Sequence, residues 1–280
     1  MSSLNRNKPK IMGILNLTPD SFSDGGEFNS LDNAIEQGKR MINEGADIID
    51  VGGESTRPGA SPVSIDLEFR RVIPVIRRLA EELTVPLSID TSRPEIMIAA
   101  AEAGAGMIND VRALREPGAL STVVDLGLPV CLMHMKGEPA TMQHYPQYKN
   151  VVQEVYEFLN ERLNCCQEAG IPGKNILVDP GFGFGKSPEH NRQLLKSLDT
   201  YLGLGVPMLV GLSRKSFSDA KRDRTHRDQT TSDYALTAVV KGAAIVRVHN
   251  VKLSHTLIRS WERNLAGSTC SSWAQGEDKP

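Results

Sequence analysis

Eight short apolar segments with helix-forming stretches between them constrain the fold of this chain more than any other feature. They are KIMGILN (10–16), DIIDVGG (47–53), PLSIDT (86–91), MINDVRA (107–113), PVCLMHM (129–135), ILVDPGF (176–182), PMLVGLS (207–213) and AIVRVHN (244–250). Their nearly continuous apolarity is typical of parallel strands that are buried on both faces. Between them, residues 67–83 and 151–166 place apolar side chains at helical spacing. The sequence therefore predicts alternating strands and helices.

This alternation predicts an α/β fold, a single-domain (β/α)8 TIM barrel over residues 10–266. Three similar segments support it: NEGADIIDV, EAGAGMINDV and VKGAAIVRV each place Gly-Ala just before a strand. Glycine suits the left-handed position that ends a helix. We expect residues 1–9 to form an N-terminal extension and residues 267–280 a flexible C-terminal tail. A doubly wound open sheet is the alternative.

Composition argues against several classes of partner. The 280 residues include 32 basic and 34 acidic side chains, so the chain lacks the basic excess that non-specific nucleic-acid binding requires. No apolar stretch approaches the roughly 20 residues of a membrane span, and the N-terminal segment lacks the apolar region of a signal peptide. The 4 cysteines show no metal-ligand spacing, which favours free thiols in a reducing compartment. We predict a cytoplasmic protein that binds neither nucleic acid nor membrane.

Polar side chains follow the apolar part of every predicted strand. In a barrel the carboxyl ends of the strands converge on the face that carries the active site. Acids and amides at these ends suit a flat heterocycle rich in N–H groups, and cations suit a phosphate or carboxylate. The acids and amides are Asp90, Asn109 and Asp179, and the cationic side holds Lys215 and Arg247, with His249. The residues alone thus predict an enzyme that holds a polar ring in the barrel and an anion at its rim.

Two other signals are weaker. The segment GFGFGKS (181–187) is not a Walker A loop, because Pro180 stands where that loop requires its first glycine. Its rings, Phe182 and Phe184, either contact a ligand or pack in the core. His134 has no second histidine at HxH or HxxxH spacing, which favours a hydrogen-bonded core histidine over a metal ligand.

Eight motifs in order, over about 240 residues, resemble the bacterial dihydropteroate synthases. They are NLTPDSFSDGG (16–26), DVGGESTRPGA (50–60), SIDTSRPE (88–95), INDVRAL (108–114), LMHMKG (132–137), DPGFGFGK (179–186), GLSRKSF (211–217) and RVHN (247–250). The resemblance implies a (β/α)8 barrel that condenses 6-hydroxymethyl-7,8-dihydropterin pyrophosphate with p-aminobenzoate. The products are 7,8-dihydropteroate and pyrophosphate. It also implies Mg²⁺ as cofactor, sulfonamides as inhibitors and a homodimer.

The resemblance also implies roles for individual residues. The pterin ring would be bound by Asp90, Asn109, Asp179, Lys215 and Arg247. The pyrophosphate would be bound by Asn16, Arg247 and His249, and Asn16 would contact Mg²⁺. The p-aminobenzoate pocket would comprise Thr56, Arg57, Pro58, Phe184 and Ser213, to which we add Phe22 from the first loop. We predict Asp20, Asp24, Lys215 and Arg247 as the catalytic groups, because an anionic Asp20 or Asp24 could stabilise a cation on an SN1-like path.

The first loop, residues 16–26, is longer than the two to six residues or so of an ordinary strand-to-helix connection. Its glycine and serine content predicts a mobile lid in which Asn16 stays fixed at the strand end. Phe22 is interpreted as an apolar contact to the bound aromatic amine, with packing beneath the loop as the alternative.

Departures from the family pattern lie mostly late in the chain. Thr231 replaces a glycine, Asn250 replaces an aspartate, and residues 218–230 read as a polar, mobile loop. These changes bear on the packing of the seventh helix. Two alternatives to the synthase are a pterin-dependent methyltransferase domain, which would lack the paired first and second loops, and a non-catalytic pterin-binding paralogue.

Overall fold

Strands and helices alternate along the chain. The structure, a computed structural model, describes residues 8–17, 27–56, 59–213 and 224–271. The strands are β1 Lys10–Asn16, β2 Ile48–Gly52, β3 Leu87–Asp90, β4 Met107–Asp110, β5 Val130–Met133, β6 Ile176–Asp179, β7 Leu209–Gly211 and β8 Ile245–Val248. The helices are α1 Glu27–Asn43, α2 Ile65–Glu82, α3 Pro94–Glu102, α4 Ala119–Leu126, α5 Val151–Glu168, α6 Pro188–Lys196, α7 Arg224–Val240 and α8 Val251–Ser271.

The strands form one parallel sheet that closes on itself. In the described part of the chain the sheet has 8 strands in the order β6-β5-β4-β3-β2-β1-β8-β7. Its two edge strands meet where Val178 and Met208 form a parallel bridge and the Val178 N–H donates to the Pro207 carbonyl at 3.1 Å. The predicted (β/α)8 barrel is therefore confirmed, and the open sheet is wrong.

The side chains inside the barrel change from apolar to polar along its axis. A buried apolar layer fills its amino-terminal half, formed by Met12, Ile48, Met107, Cys131, Leu177, Leu209 and Ile245. Because side chains on a strand point to the same side every second residue, the next interior positions toward the carboxyl ends follow directly. These are polar: Asp50 after Ile48, Asn109 after Met107, Asp179 after Leu177 and Arg247 after Ile245. The apolar layer thus forms a floor beneath a polar mouth.

Two helix boundaries differ from the sequence-based expectation. The segment predicted as a loop to residue 230 is helical from Arg224 onward, because buried Asp228, Thr231 and Ser232 pack inward. Helix α8 continues to Ser271, so it includes residues assigned to the tail. Within the described residues no helix is long and apolar enough to cross a membrane.

Candidate active site

An arginine bridges two carboxylates at the mouth of the barrel. Arg247, on β8, donates from Nε to Asp50 Oδ2 at 2.6 Å and from Nη2 to Asp90 Oδ2 at 2.7 Å. Asp50 is fully buried on β2, whereas Asp90 ends β3 and keeps an exposed edge. The two acids therefore lie at different depths, with Asp90 nearer the open end.

Asn109, at the end of β4, belongs to the same cluster. Its Nδ2 donates to Asp50 Oδ2 at 3.2 Å, and its side chain is buried. This contact fixes the orientation of the amide, because the flipped amide would set its oxygen against a carboxylate. Asn109 therefore keeps its Oδ1 as an acceptor for another group.

Two glycines open the mouth around this cluster. A Cβ atom on Gly52 would lie 3.5 Å from Asn16 Oδ1 and 3.7 Å from Asp90 Oδ2. A Cβ on Gly211 would lie 3.8 Å from Asp179 Oδ2 and 3.9 Å from the Cβ of Arg247. Because neither glycine has a side chain, the space between these polar groups stays free for a flat molecule.

Burial and charge shift the pKa values of the cluster. Burial raises the pKa of Asp90 to about 7, although Arg247 works against the shift; the like charge of Asp50 adds to it. For Arg247, burial works to lower the pKa, but Asp50 and Asp90 outweigh it and hold the guanidinium charged. The pKa of the buried Cys131 thiol lies well above its usual value because of burial and the nearby Asp179. Cys131 is therefore a neutral thiol, unsuited to act as a nucleophile.

A second polar pair stands at the rim between β7 and β8. The ring Nδ1 of His249 lies 2.8 Å from Ser213 Oγ, which also accepts the His249 backbone N–H at 3.2 Å. Because His249 and Arg247 are two residues apart, they share one side of the strand. The pair thus lines the same face as the arginine.

A buried lysine shapes the loop after β6, residues 180–187. The Lys186 ammonium donates to the carbonyls of Gly181 at 2.8 Å and Phe184 at 3.1 Å, and lies 2.8 Å from His134 Nδ1. Gly181 has φ +69°, and a Cβ there would stand 1.9 Å from the His134 carbonyl oxygen. The glycines and lysine of this motif therefore serve a compact loop fold.

His134 accepts a hydrogen bond from Lys186, as the interpretation as a core histidine requires. Burial, followed by the charge of Lys186, lowers the pKa of His134 to about 2. The ring is therefore neutral, and its Nδ1 is occupied by the lysine. In the part of the chain that the structure describes, no group of three or more His, Cys, Asp or Glu side chains is arranged to hold a metal ion.

The connection between β2 and α2 is tied at both ends by one side chain. Arg93 Nη2 lies 3.1 Å from Glu54 Oε2, at the start of the connection, and donates to the Val63 carbonyl, near its end, at 2.6 Å. Arg93 Nη1 also bonds to the buried Glu68 at 2.8 Å, and Thr91 donates to the same carboxylate at 2.7 Å. Arg93 thus anchors the base of the loop that carries Thr56.

The structure brings together many of the residues predicted for the site. Asn16, Asp90, Asn109, Asp179, Ser213, Arg247 and His249 line the carboxyl face of the barrel. Phe184 is buried against Val111, Met133, Met135 and Met142 at the same end, and Thr56 is half-buried. The predicted residues Asp20, Phe22, Asp24, Arg57, Pro58 and Lys215 lie outside the described residues.

Sequence reasoning missed three residues that organise this face. Asp50, Lys186 and Arg93 all fall within quoted motifs, but none of them is assigned a role from the sequence alone. A signal existed for Asp50, since it stands two residues after Ile48 on the inward face. Arg93 acts through the Val63 carbonyl and Lys186 through the His134 ring, 30 and 52 positions away, which no spacing in the sequence reveals.

A closed parallel (β/α)8 barrel with acceptors and an arginine at its carboxyl face has the architecture of the barrel enzymes, whose active sites lie at that face. The family model of the pterin binding enzymes matches residues 12–249. The chain belongs to the pterin-binding enzymes and, among them, to the dihydropteroate synthases.

Individual relatives are similar to this chain over nearly its whole length. The dihydropteroate synthase of Haemophilus influenzae is 51% identical over 256 residues, which are 91% of this chain and 93% of that protein. A Xanthomonas albilineans dihydropteroate synthase structure with 4-aminobenzoic acid superposes with a TM-score of 0.88 at 48% identity, covering 93% of this chain and 94% of that one. The Yersinia pestis enzyme in complex with a sulfonamide drug gives 0.88 at 45% identity, covering 94% and 96%.

Proposed function

We propose that this synthase joins 6-hydroxymethyl-7,8-dihydropterin pyrophosphate to p-aminobenzoate, releasing pyrophosphate, at the carboxyl face of the barrel. One observation carries the assignment of the site: Asp90, Asn109 and Arg247 form a single hydrogen-bonded cluster with Asp50 beside the open space at Gly52 and Gly211. Acceptors grouped around an open slot match the N–H groups along one edge of a pterin.

In this proposal the pterin edge donates to Asp90, Asn109 Oδ1 and Asp179. Arg247 packs over the ring, and Lys215, outside the described residues, supplies a further contact. Burial raises the pKa of Asp90 to about 7 because the buried carboxylate loses contact with water. An incoming N–H donor would stabilise this carboxylate. A ligand whose N–H donors match these oxygen atoms gains both affinity and orientation.

The pyrophosphate is proposed to lie across the rim, against Asn16, Arg247 and His249. Arginine suits this site because its planar guanidinium presents several N–H donors to phosphate oxygens. Mg²⁺ fits the same place, since Asn16 Oδ1 is a hard oxygen donor beside the open space over Gly52. Proteins commonly bind Mg²⁺ through few side chains together with water and substrate phosphates. When bound, Mg²⁺ would neutralise charge on the leaving pyrophosphate.

The second substrate is proposed to bind between the second loop and the rim. Thr56 and Ser213 border this region, and Phe184 closes it from the side of β6. The predicted partners Phe22, Arg57 and Pro58 complete the pocket in this proposal. The related Xanthomonas enzyme holds 4-aminobenzoic acid and the related Yersinia enzyme a sulfonamide drug, so we propose that sulfonamides compete with p-aminobenzoate here.

The proposed chemistry is an SN1-like alkyl transfer. The C–O bond to pyrophosphate breaks, the electron-rich pterin carries the resulting cation, and Asp20 or Asp24 stabilises it. The aniline nitrogen then forms the new C–N bond and loses a proton. This path needs positioning of the aniline rather than a strong base, because the cation is a strong electrophile that a neutral amine can attack.

Pyrophosphate release by the purified protein tests the proposal directly. Formation of 7,8-dihydropteroate together with pyrophosphate when both substrates are present supports it. Pterin binding without turnover would contradict it and would instead indicate a non-catalytic paralogue. We expect Lys215→Ala and Asp179→Asn to lose most activity with the fold intact by circular dichroism. A homodimer in the cytoplasm is also proposed; sedimentation at monomer mass would refute the dimer.

A further inference from the structure

Asp50 is the one carboxylate of the described cluster that a substrate in the mouth cannot reach, because its side chain is fully buried. Asp90 and Asp179 both border the open space at Gly52 and Gly211, whereas Asp50 lies one interior layer below Gly52 on the same strand. Asp50 therefore serves the site through other side chains rather than by touching the ligand.

Those other side chains are two of the proposed substrate contacts. Asp50 Oδ2 accepts from Arg247 Nε at 2.6 Å and from Asn109 Nδ2 at 3.2 Å. A single oxygen atom thus fixes both the guanidinium and the amide. Its other oxygen, Oδ1, has no hydrogen-bond partner among the described residues.

Arg247 uses different nitrogen atoms for its two acids, and this division matters for binding. Nη2 bonds to Asp90 at 2.7 Å, so Asp90 must give up or share this contact when its carboxylate accepts a ligand N–H. The Nε bond to Asp50 is separate and lies deeper in the barrel. Arg247 therefore keeps one charged anchor while its outer contact is exchanged.

We propose that Asp50 is a positioning residue for the transfer reaction: it anchors Arg247 while Asp90 engages the pterin, and it fixes Asn109 with its carbonyl oxygen toward the ring. The inference rests on the proposed function. Without Asp50, the guanidinium would be drawn wholly onto Asp90, and the Asn109 amide would be free to flip. Both changes act on the pterin pyrophosphate and leave the p-aminobenzoate pocket unaltered.

Steady-state kinetics of Asp50→Asn test this proposal, because asparagine keeps the shape and removes the charge. We expect kcat/KM for the pterin pyrophosphate to fall about 100-fold, a typical effect of misplaced binding groups. KM for p-aminobenzoate is expected to stay within about twofold, on the order of 0.4 kcal/mol. Asp47→Asn is the matched control: Asp47 precedes β2 and contacts Arg259 at 3.4 Å and the Ile11 N–H at 2.8 Å, away from the site. It should behave like the wild type.

A double-variant cycle separates positioning from general damage. If Asp50 acts through Asn109, then Asp50→Asn combined with Asn109→Ala loses less than the product of the two single losses. Multiplicative losses, equal losses for both substrates, or wild-type kinetics would overturn the proposal. Should Asp50→Asn fail to fold, Asp50→Ser is measured instead, and failure of both to fold assigns Asp50 a structural role and also overturns it. Pyrophosphate release by the wild type tests the proposed function separately from the role proposed for Asp50.

Discussion

Lys186→Met should destabilise the protein by about 2–4 kcal/mol, although methionine fills much of the same space. The Gly181 carbonyl, the Phe184 carbonyl and His134 Nδ1 lose the ammonium, which lies 2.8, 3.1 and 2.8 Å from them. The Gly181 carbonyl still accepts the Phe184 N–H at 3.2 Å, so the cost falls on the other two acceptors. Each buried acceptor left unsatisfied costs about 1–3 kcal/mol. The sum is partly offset because the variant no longer buries an ammonium, whose desolvation costs several kcal/mol.

Urea unfolding followed by circular dichroism measures this loss, with Lys196→Met as the control. Lys196 is exposed near the end of α6, so its replacement is expected to change stability by less than about 0.5 kcal/mol. The loop that Lys186 holds carries Phe184, and we therefore also expect KM for p-aminobenzoate to rise. A Lys186→Met protein within about 1 kcal/mol of the wild type would refute the reasoning, because the Phe184 carbonyl and His134 Nδ1 would then have found other partners.

Three further variants test other parts of the structure. Arg93→Met removes the link between Glu54 and the Val63 carbonyl, so KM for p-aminobenzoate should rise several-fold in kinetic assays, while Arg93→Lys restores part of the loss. His134 has a pKa of about 2 when folded against about 6.5 when unfolded, so the unfolded state binds the extra proton and stability falls as pH drops below about 6.5. His134→Gln should reduce the slope of the free energy of unfolding against pH, between about pH 6 and 4, by up to about 1.4 kcal/mol per pH unit. Gly181→Ala should lower thermal stability far more than Gly127→Ala, because both have positive φ but a Cβ meets backbone only at Gly181.

Each of these three predictions has an outcome that would contradict it. An unchanged KM in Arg93→Met would mean that the base of the second loop holds its position without the arginine. A His134→Gln protein with the wild-type pH slope would assign the acid sensitivity to other groups. Equal melting temperatures for the two alanine variants would show that the 1.9 Å contact between a Cβ at position 181 and the His134 carbonyl oxygen is relieved at no cost.

The late departures from the family pattern have a partial explanation in the structure. Asn250 Nδ2 donates to Asp228 Oδ2 at 3.2 Å, and Asn250 Oδ1 accepts the Leu253 N–H at 3.1 Å in the first turn of α8. An aspartate at position 250 would face the Asp228 carboxylate with a like charge. Asparagine therefore suits this neighbour while it still caps the helix.

The sequence determined the architecture because strand periodicity and apolar run length are local properties. All eight predicted strands are confirmed, each within the predicted segment. The polar residues at the strand ends were also found by a local rule, since the carboxyl ends of parallel strands meet on one face. The same rule placed Asp90, Asn109, Asp179 and Arg247 at one mouth without any knowledge of their contacts.

The sequence alone does not show which of two neighbouring polar residues faces the interior of the barrel. Asn109 and Asp110 are adjacent, yet only Asn109 joins the cluster in the barrel. Asp110 instead accepts the backbone N–H groups of Arg112 at 2.8 Å and Leu114 at 2.6 Å, bracing a turn in which Leu114 has φ +56°. Successive side chains on a strand point to opposite faces, and the register decides which face is the interior.

By itself, then, the sequence determined the barrel, the face that carries the site and the family resemblance, because each depends on patterns among residues close together along the chain. Only the tertiary structure decided which charges share a hydrogen bond. Asp50 and Arg247 are 197 positions apart, and Lys186 and His134 are 52 apart. Such pairs depend on closure of the barrel and on burial, which set both the distance between two groups and the strength of their interaction.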